Sequence, residues 1–486
     1  MDPLIASLLR PEAYPHPTAS ITLLETHISW VVLTGEQAYK VKKPVSLGFV
    51  DFSTLERRRH FCQEELRLNR RLAPELYEAL VEIHGPAERA SLGGSGPVIE
   101  VAVRMRQFDQ RGLLPVALAE GRVTGRHLEA FADRLAAFHG AAAVASPDGH
   151  QGTPDTVIAP ALANLDVLER LEPELLSPGL RAWTRQEAER LRPLFSARLA
   201  GGRVREGHGD LHLGNLVLHG DRVLGFDCLE FNPDLRWIDV VSDVAFLAMD
   251  LGQAQAPVLA GRLLNRWLGE SGDYGGLATW RWYLTYRALV RAKVLALRLE
   301  QLGGTNGENR AERSALSDQL RRYVEQAHHS GGPTRPGGLL LTHGVSGSGK
   351  SQLASALCRR HGWLHVRSDV ERRRLFGRWG QAAAPVRQGD AYADAVTAEL
   401  YGQCLPGAAE AALGAGLTVV VDATFLKRHQ REGFQRLAER LGAPWLILSR
   451  PVSLAVAQKR IAERLAAVVY TSEAEELVFL GVFVVV

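Results

Sequence analysis

Eight consecutive residues have the types and spacing of a loop that binds the phosphates of a nucleotide. They are Gly344, Val345, Ser346, Gly347, Ser348, Gly349, Lys350 and Ser351. In such a loop the glycines let backbone N–H groups close around phosphate oxygens, the lysine reaches the β- and γ-phosphates, and the last serine ligates Mg²⁺. An apolar run, Leu339–Leu341, precedes the loop and a helix-like segment, Gln352–Arg360, follows it. Since the N-terminus of that helix adds a partial positive charge, the sequence predicts a site for ATP and Mg²⁺.

A second group of polar residues, far upstream, has the spacing of a kinase catalytic loop. His208 and Asp210 are separated by one residue, Asn215 follows five residues after Asp210, and Asp227 ends the short apolar stretch Val223–Phe226. In γ-phosphoryl transfer such an Asp accepts the proton of the attacking hydroxyl, while an Asn and a further Asp hold Mg²⁺. We therefore expect Asp210 to be the catalytic base, Asn215 and Asp227 to be metal ligands, and His208 to brace the loop.

A kinase of this type also needs a lysine that orients ATP, on the second strand of an N-terminal hairpin. The candidates are Lys40, Lys42 and Lys43. Lys40 and Lys42 share one face of the strand because side chains alternate with a period of two, whereas Lys43 lies on the other face. The partner on the following helix is Glu64 or Glu65, and the helical register favours Glu65.

The upstream residues resemble the aminoglycoside phosphotransferase-like family of small-molecule kinases. Their loop has Gly209 where protein kinases have arginine, and Asn215 lies in the segment Leu-Gly-Asn-Leu-Val-Leu. The resemblance implies a bilobal, protein-kinase-like fold that transfers the ATP γ-phosphate to a small-molecule hydroxyl. The family pattern of apolar residues, two basic residues and a proline places Lys42 at the ATP-orienting position. No Ala-Pro-Glu segment follows Asp227, which disfavours a protein substrate.

The downstream half is similar to P-loop kinases of the polynucleotide kinase, gluconate kinase and zeta-toxin type. The apolar run Val419–Val421 ends in Asp422, a strand-end carboxylate that would organise Mg²⁺. The resemblance implies that Asp369 is the acceptor-side base and that Arg372 and Arg431 bind substrate. Over nearly its whole length the chain resembles bacterial proteins in which an aminoglycoside phosphotransferase-like kinase is fused to an AAA-type ATP-binding domain.

The elements that must position these residues follow from periodicity and turn signals. We predict an α/β multidomain protein with a kinase-like N-lobe over residues 1–105 and a helical C-lobe with the catalytic loop over 106–328. A Gly/Pro-rich linker occupies 329–338. The alternating strands and helices of 339–486 predict a P-loop domain with a parallel sheet. The resemblance to P-loop kinases implies an arginine-bearing lid after the Ile461–Arg464 helix, and the departure of this sequence from that pattern predicts an incomplete lid.

Composition limits the protein to a few functional classes. The 486 residues are 46% hydrophobic and 23% charged, with a formal net charge of +3, so nucleic-acid and membrane-surface binding are disfavoured. Four scattered cysteines without a C-x-x-C pair are typical of reduced thiols in a cytoplasmic protein. The N-terminus has no signal-peptide pattern, and the apolar tail Leu477–Val486 has about half of the ~20 residues that span a bilayer.

Some alternatives remain open on the sequence alone. Asp239 and Asp243, one helical turn apart, are either a structural pair or residues that pin the catalytic loop or touch substrate. The principal reading is a cytoplasmic ATP- and Mg²⁺-dependent kinase with small-molecule hydroxyl acceptors. The rivals are a non-catalytic nucleotide sensor and a toxin-like kinase that acts on a nucleotide-sugar.

Overall fold

The computed structural model confirms a multidomain α/β fold with an antiparallel sheet near the N-terminus and a largely parallel sheet near the C-terminus. It describes residues 1–48, 50–303, 310–377, 389–467 and 483–485. The chain forms two compact units, one of Met1–Val157 with Pro193–Leu247 and the other of Ile158–Arg192 with Ala248–Val486. The second unit thus joins helices of the predicted C-lobe to the P-loop segment.

The first unit contains a six-stranded antiparallel sheet in the order β1-β2-β3-β8-β6-β7. Three two-stranded sheets accompany it: β4 with β5, β9 with β12, and β10 with β11. The strands are β1 Thr22–Glu25, β2 Ser29–Leu33, β3 Gln37–Lys42, β4 Ser46–Leu47, β5 Val50–Asp51, β6 Tyr77–His84, β7 Ser91–Leu92, β8 Val98–Arg106, β9 Val204–Glu206, β10 Leu216–His219, β11 Arg222–Gly225 and β12 Trp237–Asp239.

Helix α2, Leu55–Asn69, packs against β6 and β8 of this sheet, and further helices connect the sheet to the candidate catalytic segment. The long helix after the hairpin begins where the Thr54 hydroxyl accepts a hydrogen bond from the Arg57 N–H at 3.3 Å, as expected of an N-cap threonine. The helices of this region are α1 Pro3–Leu8, α2 Leu55–Asn69, α3 Leu114–Ala119, α4 Gly125–Ala141, α5 Pro154–Leu171, α6 Pro178–Ala200, α7 Pro233–Arg236 and α8 Val240–Gln253. The unit boundaries fall within α5, α6 and α8.

The second unit contains a five-stranded sheet in the order β14-β15-β13-β16-β17. Its first four strands are parallel, and β17 is antiparallel to β16. The strands are β13 Leu339–His343, β14 Leu364–Arg367, β15 Val419–Asp422, β16 Trp445–Ser449 and β17 Phe483–Val485. Leu339, Leu340 and Leu341 are buried in the middle strand, because a parallel sheet is covered on both faces.

The described helices that lie entirely within the second unit come from both sides of the predicted linker. They are α9 Pro257–Ser271, α10 Trp280–Gln301, α11 Arg310–Ser330, α12 Lys350–His361, α13 Ser368–Leu375, α14 Asp394–Glu399, α15 Leu405–Gly414, α16 Arg428–Leu441 and α17 Leu454–Ala467. The segment 468–482, on which the prediction of an incomplete lid falls, lies outside the described residues.

Among the helices that the structure describes, none has the length and apolar character that a membrane crossing requires.

Candidate active sites

The β10–β11 hairpin brings Asn215 and Asp227 together. Leu216 pairs with Gly225 in its antiparallel register, and the Phe226 N–H donates to the Asn215 carbonyl at 2.9 Å. Two residues that are twelve apart in sequence therefore lie at the same end of one small ribbon. Asp227 has a φ of +61°, an uncommon backbone conformation for a residue other than glycine.

The catalytic-loop residues form one hydrogen-bonded group. The Asn215 Nδ2 atom donates to the backbone carbonyl and to the Oδ2 atom of Asp210, both at 3.0 Å. The His208 side chain lies behind them, with its Nε2 atom 3.0 Å from the Phe226 carbonyl, and burial lowers the pKa of its imidazole. His212, which the sequence analysis did not single out, has its Nε2 atom 3.5 Å from Asp210 Oδ2.

The backbone of this loop is held by Asp243. Its carboxylate accepts the N–H groups of His208 at 2.8 Å and Gly209 at 3.0 Å, and lies 3.3 Å from His139 Nε2. Burial opposes ionisation, but the interactions with the two histidines lower the pKa of Asp243 to about 2. Asp239 instead forms a buried ion pair with Arg198. Of the two aspartates, Asp243 is therefore the one that contacts the loop.

The local backbone explains why glycine replaces arginine in this loop. Gly209 has a φ of +85°, and a Cβ atom there would lie 2.6 Å from the Leu235 carbonyl oxygen. A left-handed conformation costs an ordinary residue about 1–2 kcal/mol, and overpacking typically adds about 1–3 kcal/mol.

We expect Gly209→Ala to lower the free energy of unfolding by about 3 kcal/mol, the sum of these two costs. Gly220→Ala is the matched control, since Gly220 has a φ of +60° but nothing within 4 Å of its Cβ position. The control should lose only about 1 kcal/mol. Urea unfolding curves measure the difference, and equal losses for the two variants would contradict this account.

Two lysines of β3 share one glutamate of α2. Lys40 Nζ lies 2.7 Å from Glu65 Oε1 and 2.6 Å from Asp227 Oδ1. Lys42 Nζ lies 2.7 Å from Glu65 Oε2 and also donates to Glu230. The Lys42 side chain is fully buried, whereas that of Lys40 is 13% exposed. Lys40 therefore contacts the candidate metal ligand Asp227, and Lys42 is enclosed behind it.

The opposite charges of this cluster offset the effect of burial on the pKa values of Lys40, Lys42 and Glu65. Burial would raise the pKa of Glu65, but the two lysines lower it to about 2. Burial would likewise lower the pKa values of Lys40 and Lys42, but the neighbouring carboxylates hold both above the usual value. For Glu230, burial raises the pKa. Both lysines therefore stay charged at neutral pH.

Helix α2 is also tied to the segment that precedes the catalytic loop. The Glu206 carboxylate accepts hydrogen bonds from Arg67 at 2.8 Å and from Arg236 at 3.2 Å. Arg71 donates to the backbone carbonyls of Glu206 at 2.7 Å and Gly207 at 3.1 Å. These contacts fix the helix that carries Glu65 relative to the strand that leads to His208.

The oxygen groups of this site fit Mg²⁺. The Asn215 amide donates both hydrogen bonds to Asp210 through its Nδ2 atom, which leaves the Oδ1 atom as an acceptor, and the Asp227 side chain is 45% exposed. Within the described ranges, no group of three or more His, Cys, Asp or Glu side chains could hold a metal ion. A pair of oxygen ligands suits Mg²⁺, which keeps several waters and binds phosphate oxygens as well.

The downstream loop has the backbone of a phosphate cradle. It connects β13 to the first residue of α12, Lys350, and its three glycines have positive φ values of 144°, 82° and 85° at Gly344, Gly347 and Gly349. Arg450 donates to the Gly349 carbonyl at 3.1 Å, and a Cβ atom on Gly349 would lie 3.0 Å from that guanidinium group. Arg450 is not among the residues predicted from the sequence, because no local motif marks it.

Asp422 lies beside this loop at the carboxyl end of β15. Its Oδ1 atom accepts from the Thr342 hydroxyl at 3.1 Å, and its Oδ2 atom lies 3.2 Å from His365 Nε2. Burial would raise the pKa of Asp422, but hydrogen bonds from His365 and Ser351 and the charge of Lys350 lower it. The contact between Asp422 and the Ser351 hydroxyl gives the oxygen pair that a loop-bound Mg²⁺ requires.

The three acceptor-side candidates have local partners. Asp369, at the start of α13, lies 3.0 Å from Arg367, and its side chain is 49% exposed. The Arg372 guanidinium lies over the ring of Tyr392 at 4.7 Å and donates to the Ala391 carbonyl at 2.5 Å. Arg431 donates to the Phe425 carbonyl at 2.6 Å. The roles predicted for these three residues stay predictions, since both arginines donate hydrogen bonds to backbone carbonyls of this chain.

Comparisons with known proteins identify both halves of the chain. A model of the phosphotransferase enzyme family matches residues 37–283, and a model of an AAA domain matches residues 339–480. Uncharacterized proteins of Mycobacterium tuberculosis and Mycobacterium bovis are 31% identical to this chain over 431 residues, which cover 87% of this chain and 82% of each relative.

Solved structures that are similar in part include two kinases. One is a choline/ethanolamine kinase family protein from Mesorhizobium loti, with 14% identity, a TM-score of 0.37, and coverage of 65% of this chain and 94% of that chain. The other is aminoglycoside 2′-phosphotransferase-IIIa in its GDP complex, with 14% identity, a TM-score of 0.40, and coverage of 64% and 94%. The family match covers just over half of the chain, so the chain belongs to the phosphotransferase enzyme family and is a kinase-type phosphotransferase joined to an AAA domain.

Proposed function

We propose that this protein is an ATP- and Mg²⁺-dependent kinase with two active sites. The upstream site transfers the γ-phosphate to a hydroxyl group of a small molecule. The observation that carries this proposal is the bridge that Lys40 makes between Glu65 and Asp227, together with the hydrogen bond between Asn215 and Asp210. Phosphoryl transfer of this kind needs a lysine paired with a helix glutamate and an aspartate that holds Mg²⁺, because catalysis depends on positioning and charge.

Each residue of the upstream site has a distinct role in this proposal. Asp210 accepts the proton of the attacking hydroxyl, and His208 braces the loop behind it. Asn215 and Asp227 would hold Mg²⁺, which when bound neutralises negative charge on the phosphates. Asp243 keeps the loop backbone in place.

The proposal assigns the ATP-orienting role to Lys40 instead of Lys42. Both lie on the face that the strand periodicity predicts, and both contact Glu65. Lys42 is fully enclosed by Glu65, Glu230 and the ring of Phe52, whose centroid is 4.9 Å from its Nζ atom. An ammonium group without exposure cannot reach a phosphate in the cleft unless the cluster rearranges.

The downstream site is proposed to bind a second ATP and transfer its γ-phosphate. The loop from Gly344 to Ser351 would enclose the phosphates, with Lys350 at the β- and γ-phosphates and Ser351 and Asp422 on the Mg²⁺ side. Asp369 is the proposed acceptor-side base. Arg372 and Arg431 are proposed to bind an anionic acceptor after exchanging their backbone partners.

An acceptor screen tests this function. The full-length protein is incubated with ATP, Mg²⁺ and a bacterial metabolite extract, and products are detected by their mass gain of one phosphate. We expect one set of products to disappear in Asp210→Asn and a separate set to disappear in Lys350→Ala. A nucleotide sensor would instead bind ATP and give no product that depends on either residue.

Lys350→Ala should also abolish nucleotide binding at the downstream loop. The substitution removes the cation that would contact the β- and γ-phosphates, so MgATP should no longer protect residues 344–361 from hydrogen exchange. Arg360→Ala, at the exposed end of the same helix, is the control and should retain the protection. Equal protection in the wild type and in Lys350→Ala would contradict the assignment.

A further inference from the structure

Helix α9, which the phosphotransferase match includes, packs against the P-loop segment within the second unit. The backbones of Gly261 and Gly362 approach so closely that a Cβ atom on Gly261 would lie 2.1 Å from the Gly362 carbonyl oxygen. Glycine is unfavourable in the interior of a helix, so the close contact with Gly362 explains why glycine occupies position 261. Four residues later, the Asn265 Oδ1 atom accepts the N–H of His365 at 2.7 Å.

His365 links this contact to the candidate metal ligand of the P-loop site. It lies on β14, where its backbone is held by Asn265, and its Nε2 atom is 3.2 Å from Asp422 Oδ2. Both side chains are almost completely buried, with 9% and 3% exposure. A buried partner of this kind fixes the rotation of a carboxylate, and hence the direction of the oxygen that faces a metal ion.

The carboxyl end of α9 makes a second contact, with α13. Arg374 donates to the carbonyls of Gly269 at 2.6 Å and Glu270 at 3.1 Å, and is paired with Glu371 at 3.0 Å. An α-helix turns about 100° per residue. Around the axis of α13, the mean direction of Glu371 and Arg374 therefore lies about 160° from the mean direction of Asp369 and Arg372. The helix therefore docks on α9 through the face opposite to its two candidate site residues.

We propose that α9 contributes to the P-loop site by holding His365, which in turn positions the Asp422 carboxylate. His365 is a positioning residue in this proposal, since it acts on bound Mg²⁺ only through the carboxylate it contacts. The inference rests on the proposed function of the P-loop site as an MgATP site. It means that the phosphotransferase-matched helix serves the neighbouring nucleotide site in addition to its own domain.

The first test measures Mg²⁺ dependence without any acceptor. Hydrogen exchange of residues 344–361 is followed in the full-length protein at fixed ATP while Mg²⁺ is varied. We expect His365→Ala to raise the half-saturating Mg²⁺ concentration by about 10-fold, as is usual when such a supporting partner is removed. His365→Gln keeps an N–H donor and should restore most of the wild-type value.

Two outcomes would overturn the role of His365. One is an unchanged half-saturating Mg²⁺ concentration in His365→Ala. The other is an equal defect in His365→Gln, which would attribute the effect to packing. If the wild type itself showed no protection by MgATP, the proposed function of the site would fail instead.

The second test addresses α9 by comparing two glycines of the same helix. Gly261→Ala places a methyl group against Gly362, whereas nothing lies within 4 Å of the Cβ position of Gly269. We expect Gly261→Ala to raise the half-saturating Mg²⁺ concentration by about 3–10-fold, and Gly269→Ala to leave it unchanged. Equal values for the two variants would overturn the contribution of α9.

Discussion

Asp210→Asn is expected to lower phosphoryl transfer at the upstream site by about 10²–10⁴-fold, the usual contribution of a general base. Asparagine has the shape of aspartate and still offers an oxygen to Asn215, whose Nδ2 atom lies 3.0 Å from Asp210 Oδ2. It cannot accept the proton of the attacking hydroxyl. The rate should therefore fall while the affinity for ATP and the fold are retained.

The measurement is a single-turnover assay with ATP and the acceptor that the metabolite screen identifies. Asp221→Asn is a matched control, because Asp221 lies on the β10–β11 turn and its side chain is 97% exposed. We expect the control to react at the wild-type rate. A rate for Asp210→Asn within threefold of the control would exclude Asp210 as the base.

Lys40→Met and Lys42→Met are expected to give opposite results although the two lysines share one glutamate. Lys40→Met removes the ammonium group that contacts Asp227, so phosphoryl transfer should fall by about 10²–10³-fold. Glu65 keeps Lys42 as its partner. The stability of this variant should therefore change little compared with its activity.

Lys42→Met should instead destabilise the protein. It leaves Glu230 without its ion-pair partner and Glu65 with Lys40 alone. Both carboxylates are buried, with 4% and 0% exposure, and removal of one partner from a buried ion pair costs about 3–5 kcal/mol. The double variant Lys42→Met/Glu230→Met should recover much of this loss, because apolar residues often replace a buried pair without cost. Urea unfolding and ATP turnover of all three variants separate the two roles. The reverse pattern, with activity lost in Lys42→Met and stability lost in Lys40→Met, would restore the assignment made from the family pattern.

The fold could be predicted to a large extent because its signals are local. Hairpin, helix and βαβ patterns predicted an α/β multidomain protein with a parallel sheet in its last part, and the structure confirms both. The two strands of the predicted N-terminal hairpin correspond to β2 and β3, and the helix predicted after the hairpin is α2. The structure grouped helices differently, since α9 to α11 share a compact unit with the P-loop segment. Such grouping depends on contacts between distant residues, and periodicity within an element carries no information about them.

The sequence by itself was enough to predict the candidate site residues that lie close together in the chain, namely the loop Gly344–Ser351 and the set Asp210, Asn215 and Asp227. Short-range backbone geometry governs both, so residue order is enough. Only the tertiary structure decided which lysine reaches Asp227, because strand alternation places Lys40 and Lys42 on the same face. How deeply each lysine is buried depends on contacts with residues distant in sequence, such as the ion pair between Lys42 and Glu230. It likewise brought His365 to Asp422, since the two lie on neighbouring strands that are separated by more than fifty residues in the chain.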